Sequence, residues 1–138
     1  MRRKFIFVTA GFASAILATG ALAFAPAKDK VQELLSKYEK TGESQNCLML
    51  SAVRDTDALD DYTLLVEASG AAVYLNELNG RCTGLGREGR YVRRSSSSQM
   101  CKGDIIRVIN SFGATLGSCS LGAFEKLSEI PEGETQPE

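Results

Sequence analysis

Four cysteines constrain this chain more than any other feature: Cys47, Cys82, Cys101 and Cys119, spaced 35, 19 and 18 residues apart. Structural zinc sites and catalytic dithiols are usually built on Cys-x-x-Cys pairs, which bring two sulfurs together within one turn of backbone. No such pair occurs here. An even set without knuckles, in a chain of 138 residues, reads as two structural disulfides, and disulfides persist in oxidising compartments. Three pairings are open to four cysteines. The expected one is Cys82–Cys101, closing a basic segment onto the strand after it, with Cys47–Cys119 tying the first strand to the last. Cys47–Cys82 with Cys101–Cys119 is an alternative.

The N-terminus supports export. Arg2, Arg3 and Lys4 precede the apolar run Phe5–Thr19, and Ala21-Leu22-Ala23 has the small-x-small form of a cleavage site. Residues 1–23 are therefore expected to be a signal peptide, cut after Ala23, with a periplasmic or secreted product. A cut after Ala25 would leave Pro26 at the scissile bond. An uncleaved anchor is the alternative, because Phe5–Phe24 is about the length of a bilayer span. Thr9, Ser14, Thr19 and the glycines dilute that run. Contact with the membrane is expected only through the signal segment, before cleavage.

Val31, Leu34, Leu35 and Tyr38 recur at three- and four-residue steps, which predicts an amphipathic helix over 28–40 inside a helical segment 24–45. Residues 46–128 read as a four-cysteine β-domain. Asn46–Arg54 is a first strand and Asp55–Asp61 an acidic turn. Tyr62–Ser69 and Ala72–Glu77 form a hairpin through Gly70, and a two-residue loop sets Val66 opposite Val73 or Leu75. Arg90–Ser95 is a further strand and Ser95–Ser98 a mobile loop tip. Asp104–Asn110, with Ile105-Ile106-Arg107-Val108-Ile109, is a strand buried on both faces apart from Arg107. Gly113 and Gly117 mark a turn, and Cys119–Leu127 returns. Residues 129–138 are a polar, acidic tail expected to be disordered. The fold expected is mostly β: a small disulfide-stapled β-barrel or sandwich of five or six short strands, with a short N-terminal amphipathic helix after the signal peptide.

The net charge of −1 hides a basic middle. Residues 81–109 carry seven basic and two acidic side chains, whereas 24–80 carry five and ten. Arg81, Arg87, Arg90, Arg93 and Arg94 are the candidate anion-binding residues, with anionic envelope lipid or polysaccharide as the class of partner. Nucleic acid is not expected, because only Tyr91 interleaves with the arginines and export separates the chain from it. The plainer reading is a solvated basic loop whose arginines pair with Asp55, Asp57, Asp60 or Asp61.

Signatures of catalysis are thin. The chain has no His, so a hydroxyl in Ser95–Ser98 lacks the usual activating base. Carboxylates at Asp60, Asp61, Glu67 and Glu77 leave a small carboxylate-dependent hydrolase as the alternative to a non-catalytic binding or structural module. Gly84-Leu85-Gly86-Arg87-Glu88-Gly89 spells a dinucleotide fingerprint, but no strand precedes it and no helix is expected after it, so no cofactor is assigned. Asp55–Asp61 fails the EF-hand pattern at Leu59, Asp60 and Val66, and no metal site is assigned.

Several short motifs stand along the chain: Cys47-Leu48, Asp60-Asp61-x-Thr63-Leu64, Tyr74-Leu75-Asn76, Gly80-Arg81-Cys82-x-Gly84-Leu85, Cys101-x-Gly103-Asp104-Ile105-Ile106-x-Val108 and Cys119-x-Leu121-Gly122-x-Phe124. This pattern, over roughly residues 46–125, resembles a family of small exported proteins of alphaproteobacteria known only as a domain of unknown function. The resemblance implies a secreted, periplasmic or envelope location and no particular activity.

Overall fold

The computed structural model describes residues 28–131; the expected signal peptide and most of the acidic tail lie outside them. The elements run α1 (Lys28–Lys37), β1 (Tyr38–Gln45), β2 (Cys47–Met49), β3 (Val53–Ala58), β4 (Thr63–Ala68), β5 (Ala72–Glu77), α2 (Leu85–Glu88), β6 (Tyr91–Arg93), β7 (Gln99–Cys101), β8 (Ile105–Ile109), β9 (Thr115–Ser120) and β10 (Phe124–Glu129). These strands make three antiparallel sheets, ordered β1-β10-β5-β4-β3, β2-β7 and β6-β8-β9. The fold is mostly β, and among the described residues no sheet closes into a barrel.

The five-stranded sheet is the middle layer. Leu64, Val66 and Phe124 on one face meet Ile106 and Val108 of β8, Leu48 and Met100 of the β2–β7 ribbon, and Leu85 of α2. On the other face, Leu65, Leu75 and Leu127 receive Val31 and Leu34 of α1. Both faces of β4 are thus buried, although its residues alternate in direction.

Asn76 is a fully buried polar side chain in this middle sheet. Its Nδ2 donates to the Gly122 carbonyl and its Oδ1 accepts from the Gly122 N–H, both at 2.9 Å, which removes the cost of burying an amide. Position 122 must be glycine because a Cβ there would overlap the Glu77 carbonyl oxygen.

Several expectations are corrected. The segment 24–45 is helical only over Lys28–Lys37 among its described residues, and Tyr38–Gln45 passes straight into a strand at the sheet edge. That strand buries almost nothing. It is held by pairing with β10 and by Lys40, whose ammonium lies 2.8 Å from Glu125 and 3.1 Å from Glu77. Glu125, with Glu77, holds Lys40 protonated beyond the usual lysine range in spite of partial desolvation. The acidic stretch is not a simple turn, since Asp55 and Asp57 project outward from edge strand β3. Charges on β1 and β3, the two edges of this sheet, discourage edge-to-edge addition of another chain.

The β4–β5 connection has three residues, Ser69–Ala71, with Gly70 and Ala71 both at positive φ. The extra residue places Val66 opposite Tyr74 and Leu65 opposite Leu75, so Val73 and Leu75 face the helix side and not the Val66 side. The strand at Ile105–Ile109 is buried on one face only: Ile106 and Val108 are fully buried, while Ile105 is 51% exposed. Gly117 lies within β9, where its missing side chain lets Thr83 approach, and only Gly113 turns the chain.

All four cysteines are bonded, but the pairing is Cys47–Cys101 and Cys82–Cys119, in place of the expected Cys82–Cys101 and Cys47–Cys119. Strand pairing decides this. Cys47 and Cys101 are direct partners across the β2–β7 ribbon, with Cα atoms 4.0 Å apart. The Asn79–Ser120 bridge brings the segment after β5 alongside β9, which sets Cys82 beside Cys119 in the core. The two loops span 54 and 37 residues and interleave. Loop-entropy arguments give about 4 kcal/mol for each taken singly.

Two tests follow from this architecture. Ile106→Ala is expected to cost about 2–5 kcal/mol in chemical denaturation, whereas Ile105→Ala stays within about 0.5 kcal/mol; equal losses would refute the one-sided burial of β8. Trypsin places the four cysteines on separate peptides, 41–54, 82–87, 95–102 and 108–126. Under non-reducing conditions 41–54 is expected joined to 95–102, and a link between 82–87 and 95–102 would overturn the pairing.

Candidate functional site

The candidate arginines divide into those already engaged and those free. Arg93 is engaged most fully. Its side chain is 10% exposed, and its Nη1 donates to Asp104 Oδ2 at 2.7 Å and to the Gln99 carbonyl at 2.8 Å. Asp104 Oδ2 also accepts the Cys101 N–H. With Ser97 Oγ accepting from Gln99 N and Ser98 O accepting from Leu50 N, the serine segment is pinned by hydrogen bonds, in contrast to the mobile tip expected there. Arg87 pairs with adjacent Glu88 at 3.0 Å, largely in solvent.

Arg81 donates to Asp61 Oδ2 at 3.0 Å, while Asp61 Oδ1 accepts the Gly86 N–H at 3.0 Å. This explains the glycine motif. Gly84 and Gly89 bracket α2 in left-handed conformation, and a Cβ at Gly86 would come 2.8 Å from the Asp60 Cα. The backbone N–H groups that would cradle a phosphate in a dinucleotide fold here face a carboxylate of the chain itself. Burial pushes the Asp61 carboxyl up, but the Gly86 N–H, Arg81 and the Gly84 N–H together outweigh it and hold the group below the usual aspartate range.

Arg90, Arg94 and Arg107 form no ion pair among the described residues. Arg107 and Val92 are direct partners across β6 and β8, and Ser118 follows on β9, so the three lie on one sheet face. Arg90, whose carbonyl accepts the Ile109 N–H, extends the β6–β8 pairing by one residue, which by alternation sets it on the Val92 side, and exposed Arg94 follows the end of β6. Ile105 shares that face through β8. Val92 is 41% and Ile105 51% exposed. No carboxylate occurs in β6, β8 or β9. The opposite face of the same sheet carries Tyr91, Ile106 and Val108 into the core.

Of the five candidate arginines, Arg81, Arg87 and Arg93 are paired within the chain, Arg90 and Arg94 form no ion pair among the described residues, and Arg107 joins these two as an exposed, unpaired cation. Arg107 is absent from the sequence-based set, although its central place in Ile-Ile-Arg-Val-Ile marks it as the outward residue of a one-sided strand. The neighbouring β8–β9 hairpin also presents Phe112, 93% exposed, which no motif in the sequence singles out.

The carboxylates named for a hydrolase do not converge. Asp61 is bound to Arg81, Glu77 to Lys40, and Asp60 Oδ1 accepts the Tyr62 N–H. Glu67 instead lines an open groove of about 720 Å³ with Glu43, Glu129 and Lys126. Lys126 pairs with Glu43, and Tyr38 donates to Glu129. The Tyr38 phenol is raised by burial, then by Glu129.

Asp61→Ala is expected to cost about 1.5–3 kcal/mol at neutral pH, the range for hydrogen bonds to a charged group. Because the folded carboxyl is held below its unfolded value, its contribution is complete above about pH 4 and is lost as pH falls through the folded value. Urea denaturation at a series of pH values should show the gap between wild type and variant narrowing in acid; a gap constant down to about pH 2 would refute the role.

Compared with family models, with curated proteins and with solved structures, the chain finds no match.

Proposed function

We propose that this chain is an exported, non-catalytic module of the periplasm or envelope that binds anionic groups through the outer face of the β6-β8-β9 sheet. The observation that carries the reading is that Arg90, Arg94 and Arg107 are exposed and unpaired among the described residues on or beside a sheet whose strands hold no carboxylate, while Arg81, Arg87 and Arg93 are each paired within the chain. Export is supported by the basic-apolar-small leader, by the family resemblance, and by two disulfides, which are compatible with an oxidising compartment. The near-neutral total charge is no obstacle, since exposed charges act over about 8 Å at physiological salt, so the local field counts.

Each basic residue near an anionic surface contributes about 1 kcal/mol. Arg90→Ser/Arg94→Ser/Arg107→Ser is therefore expected to weaken binding to anionic vesicles or to a sulfated polysaccharide by about a hundredfold at low salt. Arg87→Ser, whose charge is already paired, should change it little. Titrating each protein against both ligands and against neutral vesicles, at low and moderate salt, checks this. Equal binding by wild type and the triple variant would sink the proposal, and the preferred ligand would distinguish lipid from polysaccharide.

A further inference from the structure

The β8–β9 hairpin ends in the turn Asn110–Ala114, and Phe112 at its tip is 93% exposed. The turn is closely hydrogen-bonded. Asn110 Oδ1 accepts from the N–H of Phe112 at 3.0 Å and of Ala114 at 2.9 Å, and the Asn110 carbonyl accepts from Gly113 at 3.0 Å. Asn110 N donates in turn to the Ala114 carbonyl at 3.0 Å. Three successive N–H groups at the tip are thus satisfied inside the turn. In water the backbone gains little from this, but the turn holds a large apolar ring in solvent where a collapsed loop would bury it. In a less polar medium it matters more, because an unsatisfied backbone N–H is costly there.

The surroundings share one character. From Ile105 to Phe124 the sole charged residue is Arg107. Arg90 accepts the Ile109 N–H through its carbonyl, so it stands level with the last residue of β8, next to the turn. A cationic pair, Arg90 and Arg107, thus lies just behind an apolar tip, with half-exposed Val92 and Ile105 further along the same face. An anionic polysaccharide would satisfy the arginines but would leave an aliphatic and aromatic surface without a matching medium. A lipid leaflet offers both, phosphates at the level of the arginines and acyl chains for the ring.

Building on the anion-binding reading of this sheet, we infer that its partner is the surface of an anionic lipid bilayer, and that the β8–β9 hairpin inserts Phe112 below the headgroups while Arg90 and Arg107 engage the phosphates. The arginines bring the face to the membrane and the ring sets the depth. The chain lies on the leaflet and does not cross it.

The protein has no Trp, so Phe112→Trp places a single fluorescent reporter at the tip. Leu35→Trp is the control, since Leu35 is exposed on α1, on the far side of the middle sheet. Full-length mature protein is mixed with vesicles of phosphatidylglycerol and phosphatidylcholine, or of phosphatidylcholine alone, with and without bromine on the acyl chains. The emission of Phe112→Trp is expected to shift to the blue and be quenched by the brominated acyl chains in anionic vesicles only, while that of Leu35→Trp does neither. Phe112→Ala is expected to weaken binding to anionic vesicles about tenfold with unchanged denaturation, and to leave binding to dextran sulfate unaltered. Sedimentation of Phe112→Trp with anionic vesicles without a blue shift would overturn the insertion and leave the anion-binding face standing. Binding to dextran sulfate but not to vesicles would overturn the insertion likewise. Binding to neither would overturn both.

Discussion

Two crosslinks that interleave along the chain underlie the architecture. Cys47–Cys101 begins before Cys82 and ends before Cys119, so each closed loop contains one end of the other. The second bond lies in the core among Leu85, Ile106 and Leu121, and it fastens the segment after β5 to β9. The first fastens two three-residue strands that would be marginal without it. A chain of this size buries a limited core, and the bonds compensate by restricting the unfolded state.

Charge follows a similar division of labour. Asp61 ties Arg81 to the glycine turn and Asp104 ties Arg93 to the serine segment, so these carboxylates and arginines serve the fold. Arg90, Arg94 and Arg107 remain because nothing on their sheet opposes them. A basic stretch in sequence therefore contains two populations with different fates, and only strand direction separates them.

The limits of what the residues reveal are physical. The hairpin at Thr63–Glu77 is legible because apolar residues alternate, but its register depends on whether the loop holds two residues or three. Ala71, which adopts positive φ without being glycine, gives no warning. Strand β1 is invisible in the sequence: Tyr-Glu-Lys-Thr-Gly-Glu-Ser-Gln has one large apolar residue, and its stability comes from β10 and from Lys40. In β3 a bulge between Val53 and Asp55 breaks the period of two, so the acidic residues look like a turn. Disulfide formation is legible from the even, knuckle-free set, whereas the partners depend on which strands lie side by side. Of the site, Arg90 and Arg94 are visible as part of a basic run, while Arg107 and Phe112 are defined by the sheet face and the hairpin that present them.

The order β1-β10-β5 has a consequence for how the chain acquires its shape. The first of the described strands pairs with the last, and its backbone pairs with no other strand in the sheet. A chain delivered N-terminus first, through a ribosome or a membrane pore, must therefore hold Tyr38–Gln45 unpaired until Phe124–Glu129 has emerged. Both disulfides also wait on late cysteines, Cys101 and Cys119. Completion of the middle sheet is thus a post-delivery event governed by long-range contact, the slow class of folding step. The polar composition of β1 suits such a delay, because an apolar strand left waiting would be an invitation to misassembly.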